Sequence, residues 1–231
     1  MLGVIPAGGS HLGVGTGNAL TISHYLRLDG IIDLNGESQL LQPELSIVDE
    51  ASSGYLDRDQ QGKRNIFVFT SGSSPVSTTS INGGYTVEGV LLDGTNPATP
   101  GTINFQDYHG AADGTRTSPI TISTYWLWGY SPATANIYAE WDHIRKDGAV
   151  RSGEGFTMKG TAGNAVLGDG QNYTFRGKPH NGDITLSMGA NQNYLIGNPY
   201  PSAIDATQFI TDHLGSNPVF DGSLYFWDHF V

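Results

Sequence analysis

Apolar side chains in the first part of the chain keep to even positions: Leu20, Ile22, Leu26, Leu28, Ile32 and Leu34. An extended backbone points alternate residues to opposite faces, so this phase predicts strand with one buried side. Ile120, Ile122, Trp126 and Trp128 alternate in the same way, as do Ile137, Ala139 and Trp141. Shorter strand-like runs lie at 65–69, 85–92, 102–105, 154–159, 172–176, 183–188, 193–197 and 223–227. Asp-Gly or Asn-Gly pairs punctuate the chain at nine places, from 29–30 to 221–222. Such pairs favour the positive φ angles of tight hairpins. The pattern predicts an all-β protein, a β-sandwich or two packed antiparallel sheets of roughly ten or more short strands.

One segment changes period. Ala206, Phe209, Ile210 and Leu214 are spaced for a helix, so one short helix is expected near 203–214. Ser202 followed by Asp205 resembles a capping box, and Gly215 suits the stop. The stretches 93–119 and 160–171 are poor in core candidates and are expected as loops. Residues 1–40 are read as an N-terminal strand segment continuing a preceding module, and 41–231 as a β-rich domain truncated at its C-terminal end. Ser223 to Trp227 (SLYFW) is expected as a final strand whose open edge seeks a partner. Three segments run strand, small residue, Pro (FVFTSGSSP, YTFRGKP, YLIGNP), but their unequal spacing argues against a repeat array.

Composition narrows the function. With 11 Lys and Arg against 22 Asp and Glu, the formal net charge is -11, which disfavours nucleic acid as a partner. No apolar run reaches the roughly 20 residues of a bilayer span, so no membrane insertion is expected. The absence of cysteine removes thiol chemistry, disulfides and Cys-based metal sites. The seven histidines make no H-x-H, H-x-x-x-H or H-E-x-x-H spacing. There is no G-x-S-x-G elbow and no phosphate-binding loop, so the chain is not expected to be an enzyme.

The densest chemistry lies in 125–142, YWLWGYSPATANIYAEWD. Trp126, Trp128, Tyr130, Tyr138 and Trp141 could stack on sugar rings, with Glu140 and Asp142 accepting hydroxyl hydrogen bonds from one face of a strand. The competing expectation is that Trp126 and Trp128, in phase with Ile120 and Ile122, belong to the core. No cofactor is expected beyond a structural calcium. Asp29, Asp33, Asn35 and Asp169, in Gly-rich turns, are its candidate oxygen ligands, although such turns form without metal.

Several segments together resemble a region of large flavobacterial (Bacteroidetes) cell-surface proteins exported by type IX secretion. They are DLNGESQLLQ, GYLDRDQQG, SSPVS, GEGFTMKGT, NYTFRGKPHNGDITL, NYLIGNPYPSAIDATQFI and LYFWDH, spread from residue 33 to the end. Thr70-Ser71-Gly72 stands where such proteins carry an aromatic run before SSPVS. The resemblance implies an extracellular, adhesin-like, non-catalytic region, and it brings no catalytic or binding residues with it. Its partners would be neighbouring modules of the same polypeptide or other copies of itself. The expected function is therefore a structural or adhesive surface module, with a carbohydrate-binding module as the alternative.

Overall fold

A computed structural model describes residues 2–5, 9–107, 113–134, 137–161, 166, 168–215, 218 and 220–226. Strands β1 (Leu2–Ile5), β2 (His11–Val14) and β3 (Ala19–Thr21) form a first coil. The second coil is β4 (Tyr25–Leu28), β5 (Ile31–Leu34) and β6 (Gln39–Leu41), and the third begins with β7 (Ile47–Val48) and β8 (Tyr55–Lys63). Like strands stack in parallel: β1 on β4 on β7, β2 on β5 on β8, and β3 on β6. The repeat is 20 residues from Ala19 to Gln39 and 24 from Ile31 to Tyr55. This is a β-solenoid.

The sandwich expectation is thereby overturned, and the turn residues explain why. Gly36 (φ 55°) does adopt the left-handed conformation predicted for its Asn-Gly pair, and Gly17 (φ 75°) adopts it at the equivalent corner of the first coil. They turn corners, however, instead of closing hairpins. The strands on either side of each corner lie on different faces and pair with the coils above and below. Among the described residues, only β11 (Leu91–Asp93) and β12 (Gly101–Thr102) are sequence neighbours paired antiparallel. The even-position phase survives each corner, so Ile22, Leu26, Leu28, Ile32 and Leu34 are all buried inside the coils with Leu40, Val48 and Leu56. At the corner between faces, Gly54 meets the next coil so closely that a Cβ would sit 2.0 Å from the Gly30 carbonyl oxygen.

The remainder of the chain caps and extends the solenoid. It holds β9 (Phe69–Gly72), β10 (Val76–Ser77), β13 (Asn104–Gln106), β14 (Thr121–Ser123), β15 (Trp128–Gly129) and β16 (Ala133–Thr134). Beyond these come β17 (Phe156–Lys159), β18 (Gly170–Pro179) and β19 (Gln192–Asn193). The long β18 lies antiparallel to β8 in register from Gly170↔Lys63 to Gly177↔Leu56, and its other edge takes β11. A separate sheet runs β15–β17–β9. The Leu40 amide donates to the Pro201 carbonyl (2.9 Å), so the C-terminal segment covers the open edge of β6. Tyr85, Val87, Leu91, Phe156, Tyr173 and Phe175 continue the same buried cluster.

The predicted helix is present as α2 (Ala206–His213), after α1 (Val87–Val90), a single turn. Its cap differs from expectation: Asp205 is the N-cap, its carboxylate accepting from the Thr207 and Gln208 amides, and Ser202 lies outside. Within 85–92, Thr86 caps α1 with its side chain, so half of that expected strand is helical. Neither 183–188 nor 223–226 forms a strand, and Trp227 lies outside the described residues. No helix among the described residues is long and apolar enough to cross a membrane.

Candidate functional site

The aromatic segment begins in β14, where Ile122 is buried. A 3₁₀ turn at Thr124–Trp126 then intervenes before β15. Three residues per turn breaks the two-residue alternation, and the phase shifts by one. Leu127 takes the inward position, fully buried, while Trp126 and Trp128 emerge partly exposed. The expectation that these tryptophans belong to the core is therefore wrong.

Sheet pairing supplies the neighbours. On β17, Phe156 and Met158 belong to the buried core, and alternation puts Thr157, itself buried, and the partly buried Lys159 on the opposite face. Trp128 pairs with Thr157 and Phe69 with Lys159. The rings form a connected surface: Phe69 meets Trp126 edge-on at 5.7 Å, Trp126 meets Tyr125 at 4.8 Å, and Tyr125 meets Trp128 at 6.2 Å. The Lys159 ammonium lies 3.6 Å from the centre of the Trp126 ring and 3.1 Å from an Asp113 carboxylate oxygen. Its charge is thus engaged twice.

The chain then folds back on itself. Gly129 and Asp142 exchange two backbone hydrogen bonds, each 2.9 Å, which returns the segment 137–143 alongside β15. This places His143 parallel to Trp128, with ring centres 4.3 Å apart and planes within 16°. The His143 Nε2 sits 3.2 Å from the Thr124 carbonyl oxygen, which fixes the imidazole against the indole. Tyr130 and Trp141 come together at 5.1 Å, and the Tyr130 hydroxyl donates to Thr134. Tyr138 stands out at 87% exposure.

The two carboxylates do not share a strand face. Tyr138–Glu140 is a 3₁₀ turn, and Glu140 accepts from the Thr134 amide, pinning the loop. Asp142 is exposed at the edge of a cavity of about 150 Å³ that also reaches Tyr130 and Glu154. Ala135 and Asn136, between β16 and the turn, lie outside the described residues.

The candidate calcium ligands are dispersed. Asp29 pairs with Arg27 (2.6 Å) and accepts from the Ser53 amide, and these two interactions hold its carboxyl down at about 2. Asp33 faces His11 (3.3 Å) on another face, and burial, followed by the Asp57 charge, pushes its carboxyl up. The Asn35 amide is turned toward the Val14 and Asp33 carbonyls as donor. Asp169 is exposed near the start of β18. Among the described residues no three His, Asp or Glu side chains gather as a metal ligand set.

A family of proteins shares this region. The domain of unknown function DUF8693 matches residues 110–231, slightly more than half of the 231-residue chain. The chain belongs to the DUF8693 family. No curated protein and no solved structure shows significant similarity to it. Of the ring cluster, Tyr125, Trp126, Trp128, Tyr130, Trp141 and His143 fall within the DUF8693 match, whereas Phe69 reaches them from outside it. Sequence reasoning missed Phe69, Lys159 and His143. The first two come from strands far apart in the chain and had no local signal. Tyr125, the first residue of the aromatic run, and His143, directly after it, could have been included by proximity.

Proposed function

We propose that this DUF8693 protein is a glycan-binding module that uses the aromatic surface around Trp126, Trp128, Tyr130 and Trp141. One observation carries the reading: Leu127 fills the core while the rings on either side stay at the surface. Partly exposed tryptophans cost solvation unless something covers them. The C–H face of a pyranose ring is a fitting cover, because its weakly positive hydrogens meet the negative face of an aromatic ring while the hydroxyls remain hydrated. Asp142 and the rim of the adjoining cavity supply acceptors for those hydroxyls. A purely structural role explains the rings less well, since packing within the chain, with Lys159 over Trp126 and His143 on Trp128, still leaves both tryptophans partly exposed. Binding without cleavage and an extracellular, cell-surface setting are part of the proposal, the latter supported by the family resemblance of the sequence.

The test is affinity electrophoresis of the whole chain against a panel of soluble polysaccharides, with Trp128→Ala alongside. At least one polysaccharide is expected to retard the native chain. Loss of the Trp128 ring should weaken that interaction by about tenfold or more, ~1.4 kcal/mol. Equal mobility of both proteins in every gel would remove the glycan reading.

A further inference from the structure

The charges around the rings select among glycans, and this step rests on the glycan-binding reading above. Lys159 is the cation in contact with the cluster, and its ammonium is already shared between the Trp126 face and Asp113. Its side chain is only 13% exposed, so little of it is open to a second anion. Lys146, on the turn after His143, pairs with Glu88 at 2.6 Å. Arg145 is exposed there, but Glu140, Asp142 and Asp147 surround it in sequence within a chain of net charge -11. A uronate or sulfated chain laid on this surface would meet the exposed Asp142 and Asp147 and the half-buried Glu140 against one exposed guanidinium, Arg145, and like charges brought together are unfavourable.

Ring geometry adds a second restriction. Contacting rings in the cluster meet at 80°, 84°, 85°, 70° and 54°, and the one parallel pair is His143 on Trp128. A flat crystalline polysaccharide surface needs coplanar rings to lie on. Rings turned against one another instead grip successive faces of one chain. We infer that the site takes a single, uncharged glycan chain and rejects both polyanionic and crystalline polysaccharides.

Isothermal titration calorimetry of the whole chain would compare soluble uncharged polymers (mixed-linkage β-glucan, galactomannan, xyloglucan) with alginate and polygalacturonate. A pull-down would add crystalline cellulose and chitin. The expected result is binding to an uncharged polymer, with Kd changing less than about twofold between low and high salt. Tyr138→Ala, a change at an exposed position, should weaken it with no shift in melting temperature, and Trp128→Ala should weaken it more. Binding confined to polyanions and lost by about tenfold or more in high salt overturns the charge inference but leaves the glycan reading standing. Binding confined to the crystalline solids overturns the single-chain inference in the same way. No binding to any polymer overturns both the inference and the reading beneath it.

Discussion

Single residues show how burial sets chemistry in this protein. His180 is 1% exposed, its Nδ1 lies 3.4 Å from the Ser152 hydroxyl, and its Nε2 has no hydrogen-bond partner. Burial disfavours the imidazolium and drives its pKa down to about 4. The unfolded chain, with a histidine near 6.5, therefore takes up the proton first. This stabilisation is complete above about pH 6.5 and is lost as the pH falls through about 4, for a total of about 3 kcal/mol. Asp33 acts in the opposite sense, because its raised carboxyl resists ionisation in the folded state. Urea unfolding between pH 7 and pH 4 should show a steeper loss for the native chain than for His180→Leu. Parallel pH profiles would reject the assignment. Charge pairing is clearest at Arg176, which grips Asp57 with two 2.7 Å hydrogen bonds and lies 4.3 Å over the Tyr55 ring. Asp57→Ala strands a guanidinium that is about one-third exposed. The expected cost is about 2 kcal/mol in chemical denaturation, below that of a fully buried pair.

At the scale of elements, the solenoid depends on inward side chains stacking from coil to coil. Leu26 stacks on Val48, and Ile32 on Leu56, each from strands paired in parallel. Leu26→Ala opens a cavity against the buried Val48 and should cost about 3 kcal/mol. The corners are as demanding as the columns. Gly54→Ala would push a methyl carbon to 2.0 Å from the Gly30 oxygen, and that oxygen belongs to rigid backbone. The coils must separate, with a cost of about 3 kcal/mol and a lower melting temperature. A thermal scan in which Gly54→Ala melts with the native chain would show that the corner yields without penalty. By contrast, α2 buries no side chain fully and relies on its Asp205 cap. Local helices of this length gain little without packing.

The whole molecule is not divided where the family match begins. β18 and β17 lie inside residues 110–231, but their partners β8, β11 and β9 lie outside. Tyr85, Val87, Val90 and Leu91 are also outside it, and they belong to the same buried cluster as Phe156 and Tyr173. Residues 110–231 alone would leave β18 with both edges open and its apolar face uncovered. That fragment is expected to lack the cooperative thermal transition expected of the whole chain when both are followed by circular dichroism. A sharp transition in the fragment would mean that it replaces these partners by other pairings. The same dependence reaches the aromatic site, since Phe69 comes from β9.

Local physics made much of this legible. Alternation identified the buried leucines and isoleucines of 22–34, because the pleat gives each inward residue the same parity even when the chain turns a corner. The helical spacing of 206–214 placed α2, and the crowding of aromatics in 125–142 marked the site. Tertiary structure decided the rest. Whether Asn35-Gly36 closes a hairpin or turns a solenoid corner depends on which strand, some 20 residues away, offers its edge, and the dipeptide is the same in both cases. The exposure of Trp126 and Trp128 was settled by one 3₁₀ turn that shifts the phase and lets Leu127 inward. Phe69, Lys159 and His143 joined the rings through strand register and the Gly129–Asp142 backbone pair, long-range contacts that no local pattern encodes.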